Sequence, residues 1–446
     1  MVRTCAGGST SSSAQPVLVL SQVWNLTFIA NPPELRGIVL EWPMKENRDM
    51  QNKSLKNIRV LDLSRFIAGP FCGQVLGDLG ADVVKIERAD GGEEGRRIGE
   101  MVDGETLFFM GANRNKRSLT LDFRNPDGQA LLRRLAAEAD ILVENFRPGT
   151  LEKMGCGYDV LSAENPGLIL VRVSGFGQDG PMASHPCFDG AAQAHSGIMT
   201  LTGQADGPPT MAGVFVSDYS TALYASIAAL AALQARQETG KGQVVEATLM
   251  DSALSMLTTA VGESKLLGVE PSRLGNRDRY LSPSHCFKSR DDKWVYVVAG
   301  NDHHFVRFCE AMGMPELAKD ERFVTFFVRN ANAEALEGII DAWGLEHDAE
   351  EILTALHAVG VPCEPVASIA DVVENPHLAH RGQIVDVPHP AGGTVPVPAS
   401  AIKMSATPPG VHRGPPALGA HTREVLRDWL GVDDAEYEAI DATGCL

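Results

Sequence analysis

The sequence predicts an α/β protein with a doubly wound, Rossmann-like large domain and a smaller α+β domain. Short β-branched runs alternate with longer helical patterns, which is typical of a parallel sheet with crossover helices. The chain has 446 residues, of which 44 % are apolar and 22 % charged. This is the ordinary mixture of a folded protein with two or three domains.

The first strand–helix–strand unit spans residues 58–88. The strand IRVLDLS leads into RFIAGPFCGQVLGDLG, which favours a helix, and the strand ADVVKIER follows. Gly69, Gly73 and Gly77 would let a phosphate approach the N-terminus of the helix, where unpaired N–H groups attract anions. Their GxxxGxxxG spacing differs from the GxGxxG of dinucleotide-binding proteins, so a nicotinamide site is disfavoured.

The same alternation continues along the chain. Further helices are predicted over residues 127–138, from residue 158 and over residues 221–235, and further strands over residues 140–145, 167–175 and 244–249. The apolar run at 221–235 is shorter than a membrane span requires and predicts a buried helix. A second set of elements consists of a strand over residues 294–300 and helices over residues 303–312 and 349–359.

These elements divide the chain into four parts. Residues 55–251 form the predicted large domain, residues 252–365 the small domain, and the Pro/Gly-rich residues 366–446 a return segment that packs on the large domain. Residues 1–54 lack the apolar core and cleavage site of a secretory signal. We interpret them as an extension that is disordered or precedes the true start of the protein.

Charge and cysteine usage exclude several classes of function. A formal net charge of −18 argues against nucleic acid and against an anionic membrane as partners, since both require a basic surface. The eight cysteines form no CxxC pair, so neither a disulfide framework nor a zinc site is indicated. We expect no bound metal and a reducing, cytoplasmic location.

Basic residues recur where the predicted elements end between residues 85 and 153. They are Arg88, Arg96, Arg97, Arg114, Lys116, Arg117, Arg124, Arg147 and Lys153. Taken singly, each is equally consistent with a solvated surface charge. Because the carboxyl ends of adjacent parallel strands meet at one edge, we expect several of them to converge into a cradle for a ligand with several phosphates.

At these residues the chain resembles the family III CoA-transferases, which include formyl-CoA:oxalate and succinyl-CoA:dicarboxylate transferases and α-methylacyl-CoA racemases. The resemblance runs from about residue 55 to the C-terminus. It rests on an ordered set of motifs: VLDLSRFIAGPFCGQVLGDLGADVVKIER, NRNKRSLTLD, VENFRPGTLEKMGCGYDVL, SGFGQDGP, FDGAAQAHSG, TGKGQ and PALGAHT. The resemblance implies an acyl-CoA and a small carboxylic acid as substrates, CoA as co-substrate, no permanently bound cofactor, and an interlocked homodimer.

The resemblance also assigns a CoA site. Its residues would be Ile67, Ala68, Arg88, Leu121, Arg124, Asn145, Phe146, Arg147 and Lys153. In the family, the position of Ile67 can be a glutamine and that of Ser174 a lysine, and a glycine-rich loop can replace residues 274–287. These departures disfavour formate and oxalate, and the look of the motifs favours succinyl-CoA and other dicarboxylates. A second carboxylate would need a cation, for which the candidates are Arg65, Arg273, Arg277 and Arg279.

The family's nucleophilic aspartate falls on Asp189. A carboxylate can accept the acyl group as an anhydride and then hold CoA as a thioester. Taken alone, Asp189 is more typical of an N-cap, since a helical pattern follows it. Gly177 and Gln178 lie in a glycine turn whose N–H groups could stabilise the developing oxyanion; the alternative is a plain tight turn.

Two other functions remain open at this point. A racemase would need a histidine directly before the aspartate and another upstream, whereas Phe188 precedes Asp189 and residues 152–178 contain no histidine. General acid–base chemistry at carbon would therefore lack its partner. A non-catalytic CoA-binding homologue would be favoured by the loss of Asp189, which is present.

Overall fold

The computed structural model describes residues 52–446. Its strands are β1 (Arg59–Asp62), β2 (Asp82–Glu87), β3 (Met101–Val102), β4 (Glu105–Thr106), β5 (Lys116–Thr120), β6 (Ile141–Glu144), β7 (Ile169–Ser174), β8 (Val244–Thr248), β9 (Ser284–Lys288), β10 (Trp294–Val298), β11 (Cys363–Pro365), β12 (Ile384–Pro388) and β13 (Thr394–Pro398). Its α-helices are α1 (Ala68–Asp78), α2 (Leu107–Ala112), α3 (Pro126–Ala137), α4 (Thr150–Lys153), α5 (Tyr158–Glu164), α6 (Asp189–Ser196), α7 (Ile198–Leu201), α8 (Val216–Thr239), α9 (Leu249–Ser255), α10 (Ala260–Gly262), α11 (Asp302–Ala311), α12 (Phe326–Ala331), α13 (Ala333–Gly344), α14 (Ala349–Ala358), α15 (Ile369–Val373), α16 (Pro376–His380), α17 (Thr422–Leu430) and α18 (Asp434–Asp441). The predicted extension, residues 1–54, lies outside the described residues except for its last three.

A six-stranded sheet forms the centre of the larger α/β region. Its strand order is β5-β2-β1-β6-β7-β8, and every neighbouring pair is parallel. The predicted α/β class and parallel sheet are thus confirmed. The direction of winding reverses between β1 and β6, and ligands of open α/β sheets bind at the carboxyl ends of the strands at such a reversal.

Helices cover both faces of this sheet because its strands alternate between two hydrophobic cores. Val60 and Ile141 contribute to the core on one face, with side chains of α1 and α8. The next residues along each strand, Leu61 and Leu142, contribute to the core on the other face, with side chains of α3, α5 and α17. This alternation follows from the two-residue period of a strand.

Helix α8 is long and apolar enough to cross a membrane by length and composition alone. Its alanines Ala222, Ala225 and Ala229 are fully buried against the sheet. It starts at Val216, five residues before the predicted apolar run, so its polar first turn was missed by the prediction.

The C-terminal part of the chain covers the β5 edge of the sheet. The His421 N–H donates to Ser118 O over 2.9 Å, and the Thr120 N–H donates to Thr422 Oγ1 over 3.2 Å. Helix α17 adds Val425 to the same core as β1 and β6. Unpaired edge strands invite pairing with other chains, so this cover has a protective effect.

A separate core lies in the region of β9 to β11. These strands form an antiparallel sheet in the order β11-β10-β9. The buried side chains of Phe287, Val295 and Phe308 pack there with residues of α13 and α14.

Candidate functional site

The loop after β1 lies at the reversal point of the sheet and is tied to the loop after β6. The Arg65 N–H donates to Asn145 Oδ1 over 2.9 Å, and Asn145 Nδ2 donates to Arg65 O over 2.7 Å. Phe66 has a φ of 67°, a conformation that costs energy for a bulky residue. Its N–H donates to Glu93 Oε2 over 2.8 Å, which stabilises this conformation.

Beneath this loop lies a group of fully buried charges. Lys116 Nζ is 2.7 Å from Asp62 Oδ2, and both side chains are fully buried. Lys85 Nζ donates to Ser64 O over 2.7 Å and is 3.3 Å from Glu93 Oε1. Burial alone would raise the pKa of Asp62, but Lys116 and Lys85 lower it to about 2. Lys85 and Glu93 hold the loop after β1 through hydrogen bonds to the main chain of Ser64 and Phe66.

A cavity of about 410 Å³ opens above the loop, at the carboxyl ends of β1, β2, β5 and β6. Four of the residues assigned to CoA line it: Arg88, Arg124, Phe146 and Lys153. Arg65 lines it as well and brings a fourth positive charge. The lining also contains the acids Glu87, Glu93 and Asp122, of which Glu87 pairs with Arg96 and Glu93 with Lys85. The four cations and the apolar floor suit a nucleotide cofactor that carries phosphates.

The other assigned residues lie outside the lining of this cavity. Ile67 and Ala68 are buried where α1 begins, and Leu121 is fully buried. Asn145 positions the loop after β1, as described, and Arg147 is exposed. Their contact with CoA stays a prediction.

Four of the basic residues expected in the phosphate cradle are instead buried and form ion pairs with acids of the chain. Arg96 pairs with Glu87, Arg114 with Asp78, Lys116 with Asp62, and Arg117 with Asp82. For these four the cradle prediction was wrong, because buried cations are stable only beside acids that balance them. The Glu87 carboxylate at the end of β2 is thus engaged by Arg96.

The glycines of the first unit also have a different role from the one expected. They lie inside α1, where they let it pack closely. A Cβ on Gly69 would lie 2.2 Å from Ser64 Cβ, and one on Gly77 would lie 3.1 Å from Asn115 Cβ. The glycines therefore allow close packing of α1 against Ser64 and Asn115 rather than the approach of a phosphate.

Asp189 is the first residue of α6 and is only 3 % exposed. Its Oδ1 accepts hydrogen bonds from the Ser217 N–H over 2.7 Å and the Asp218 N–H over 3.1 Å. Its Oδ2 accepts from Gln193 Nε2. The side chain does not cap its own helix; instead the start of α8 holds it. Three N–H donors thus hold the carboxylate in one orientation.

Two phenylalanines connect Asp189 with the loop after β1. The rings of Phe66 and Phe188 meet edge to face, with their centroids 5.3 Å apart. Phe188 is 64 % exposed and directly precedes Asp189. Arg65, the neighbour of Phe66, lines the cavity, and Asp189 is the neighbour of Phe188. The contact between the two rings therefore links the cavity to the Asp189 carboxylate.

The turn that contains Gly177 and Gln178 packs beside α6. The Phe176 ring contacts the His195 ring at 5.7 Å between centroids. The Gly177 N–H donates to Ser174 Oγ over 3.0 Å and the Gln178 N–H to Glu246 Oε2 over 3.1 Å. Both main-chain donors are thus engaged within the chain. Gln178 Nε2 is buried without a hydrogen-bond partner in the described structure.

The three loop arginines suggested for a second carboxylate are held by the chain itself. Arg273 donates to Gly207 O over 2.8 Å, Arg277 to Glu337 Oε1 over 2.6 Å, and Arg279 to Ser272 O over 2.7 Å. Arg65 is also paired, with Glu94 at 3.2 Å, but its Nε is buried without a partner among residues 52–446. Of the four candidates, Arg65 directly precedes Phe66 in the chain and lines the cavity.

Sequence reasoning missed three residues around Asp189. Gln193 stands four positions after Asp189 on α6, a spacing at which helical side chains meet, so this contact could have been inferred. Ser217 and Asp218 lie far along the chain, and no local pattern links them to Asp189.

Comparison with known proteins identifies the family. The family model of CoA-transferase family III matches residues 55–422. The succinyl-CoA–D-citramalate CoA-transferase of Chloroflexus aurantiacus is 39 % identical over 391 residues, covering 87 % of this chain and 97 % of its own. The mouse succinyl-CoA:glutarate CoA-transferase is 34 % identical over 412 residues, covering 92 % and 94 %.

Solved structures lead to the same family. The crystal structure of a CaiB/BaiF family protein from Brucella suis aligns with a TM-score of 0.76 at 37 % identity, covering 85 % of this chain and 100 % of its own. The ordered motifs, the cavity at the sheet reversal and these relatives have one explanation: the chain belongs to CoA-transferase family III, whose members are enzymes with CoA as co-substrate.

Proposed function

We propose that this protein transfers CoA from succinyl-CoA, or another dicarboxylyl-CoA, to a free dicarboxylic acid. The observation that carries the proposal is the buried Asp189 carboxylate, held in one orientation by donors from α6 and α8 beside a cation-rimmed cavity. Relatives named for succinyl-CoA and dicarboxylic acids support the choice of substrates.

The proposed reaction proceeds through covalent intermediates on Asp189. The carboxylate attacks the thioester carbonyl, which gives a mixed anhydride and CoA thiolate. The thiolate then attacks the aspartyl carbonyl, so that the donor acid leaves and Asp189 holds CoA as a thioester. The acceptor acid runs the same two steps in reverse.

Each step places negative charge on a carbonyl oxygen, and donors must be aimed at it. We assign this role to the Gly177–Gln178 turn. Gln178 Nε2 supports the assignment because it is a buried donor with no acceptor in the described part of the chain. The Gly177 N–H would first have to leave Ser174 Oγ.

The alternative racemase chemistry has less support. The described partners of the Asp189 carboxylate are an amide and two main-chain N–H groups. None of them is the histidine that the racemase branch pairs with its aspartate.

A screen of acceptor acids tests the proposed substrates. With succinyl-CoA as donor, we expect dicarboxylic acids of four to six carbons to accept CoA and matched monocarboxylic acids to react at least about tenfold more slowly. The reason is that an ion pair with the distal carboxylate contributes about 1.4 kcal/mol or more. Chromatography of the acyl-CoA products gives the answer. Equal rates with monocarboxylates would contradict the dicarboxylate proposal.

We also propose that the protein is an interlocked homodimer. Its large domain spans residues 55–251, its small domain 252–365, and its return segment 366–446. Separate cores in the two regions support this division. Leu266 and Leu267 are 82 % and 72 % exposed, as expected of side chains that a partner covers. Light scattering should give twice the chain mass of 47.8 kDa; a monomer mass would contradict the proposal.

A cytoplasmic location is likewise a proposal. The seven cysteines of residues 52–446 are all free thiols, and free thiols are stable in a reducing compartment. Recovery of the protein outside the cytosolic fraction of its cells would overturn it.

A further inference from the structure

Asp218 places a second carboxylate beside Asp189. It is the third residue of α8, and its main-chain nitrogen lies 3.1 Å from Asp189 Oδ1. Its side chain is only partly exposed. Across residues 52–446, no cation pairs with it and no group donates a hydrogen bond to it. Two acids thus share the site, and only Asp189 has donors on its oxygens.

The surroundings of Asp218 favour its neutral form. Burial, with the negative charge of Asp189 as the second cause, raises the pKa of Asp218 from 3.8 to about 7. The start of α8 acts in the opposite direction, because a helix N-terminus favours an anion, but it is outweighed. The titratable groups that face Asp218 are Asp189 on α6, the Cys187 thiol before α6 and Tyr219 on α8. All of them are acids, so none stabilises the carboxylate.

We propose that Asp218 holds a proton at neutral pH and passes it to the CoA sulfur while the anhydride exists. This inference rests on the proposed CoA transfer. When Asp189 attacks the acyl-CoA, the carbon–sulfur bond breaks and the sulfur carries the electron pair away. Asp218 gives its proton to that sulfur and becomes a carboxylate. When the sulfur attacks the aspartyl carbonyl, the proton returns to Asp218 and the donor acid leaves as a carboxylate.

The position of Asp218 suits this task. The sulfur first leaves the acyl carbonyl carbon that Asp189 attacks. It later bonds to the carbonyl carbon of Asp189 itself. The Asp218 N–H binds Asp189 Oδ1, and the Asp218 carboxyl is near enough to interact with the Asp189 charge, so this carboxyl is close to the path of the sulfur. The neutral acid also keeps a second negative charge away from a site that must accept an anionic substrate.

Asp218→Asn and Asp251→Asn form a matched pair of variants for the test. Asn has the shape of Asp and preserves the main-chain N–H that binds Asp189, but it has no acidic proton. Asp251 is the third residue of α9, the same position in its helix as Asp218 in α8, and it is exposed. The Asp251→Asn variant therefore shows what the loss of an acid at the start of a helix does by itself.

The experiment measures the exchange of labelled succinate into succinyl-CoA between pH 5.5 and 8.5. For the wild type we expect kcat to fall as the pH rises through about 7, because Asp218 loses its proton there, and to be lower in D₂O. In D218N, kcat should be about 10²-fold lower at pH 6, with the alkaline decline and the D₂O effect both lost and with an unchanged KM for succinyl-CoA. D251N should behave as wild type.

Other outcomes overturn the proposal. If D218N equals the wild type at pH 6, or retains the alkaline decline, Asp218 does not supply the proton. Should D218N fail to fold, the wild-type D₂O effect decides, and its absence contradicts a proton transfer in the slow step. If the wild type shows no exchange although it binds succinyl-CoA, the proposed CoA transfer itself fails, and the role of Asp218 falls with it.

Discussion

Replacing Asp189 with alanine should lower the rate of CoA transfer by about 10⁴-fold or more. The variant loses the carboxylate that forms the anhydride in the proposed mechanism, so it should still bind substrate but not carry the acyl group. The rate is measured as succinate exchange into succinyl-CoA. Mass spectrometry should find CoA bound to the wild-type peptide that contains Asp189 and no such adduct on the variant.

Two further variants separate chemistry from binding. Asp189→Asn preserves the shape of the side chain and should be as inactive as the alanine variant. Arg124→Ala removes a cation from the rim of the cavity. It should raise the KM for acyl-CoA about tenfold, as expected for one lost charge-assisted hydrogen bond, while the adduct still forms. An Asp189→Ala enzyme that exchanges succinate at the wild-type rate would remove Asp189 from the mechanism.

Replacing Lys116 with methionine should lower the free energy of unfolding by about 3–5 kcal/mol. Lys116 and Asp62 are both fully buried and lie 2.7 Å apart. The variant leaves the Asp62 carboxylate in the interior without the ammonium group that pairs with it directly, and Lys85 is the remaining cation that acts on it. Denaturant titration followed by circular dichroism measures the loss.

Additional variants identify the cause of that loss. Removing both charges, as in Asp62→Asn with Lys116→Met, should recover part of the stability because no unpaired carboxylate remains. Arg290→Met breaks an exposed pair with Asp348 and should have little effect, as surface pairs contribute little. If the Lys116 variant matches the wild type, the buried pair does not stabilise the fold.

The buried strands of the sheet could be predicted wherever their sequences are apolar. The segments around β1, β2, β6, β7 and β8 were all predicted as strands, because β-branched runs such as ILVE of β6 mark them. β5 was missed. Its sequence, KRSLT, is typical of a surface loop, and Lys116 and Arg117 are buried only because distant acids pair with them.

The site could be predicted only in part, because its contacts join residues that are far apart in the sequence. The position of Asp189 at the start of a helix followed from the local pattern, and the structure agrees. Its contacts with Ser217 and Asp218 join segments 28 and 29 residues apart and depend on how α8 packs. Likewise, the structure showed that Arg65 lines the cavity whereas Arg96 and Arg114 do not, because a sequence does not reveal which cations are already paired.

The cover over the β5 edge affects how the chain can fold as it leaves the ribosome. The contact between Ser118 and His421 joins positions 303 residues apart, so synthesis of most of the chain must come first. Until then the strand presents an open edge to neighbouring nascent chains. Covering of the β5 edge thus has to wait until residue 421 has been synthesised, and chaperones that shield exposed strands would act in that interval.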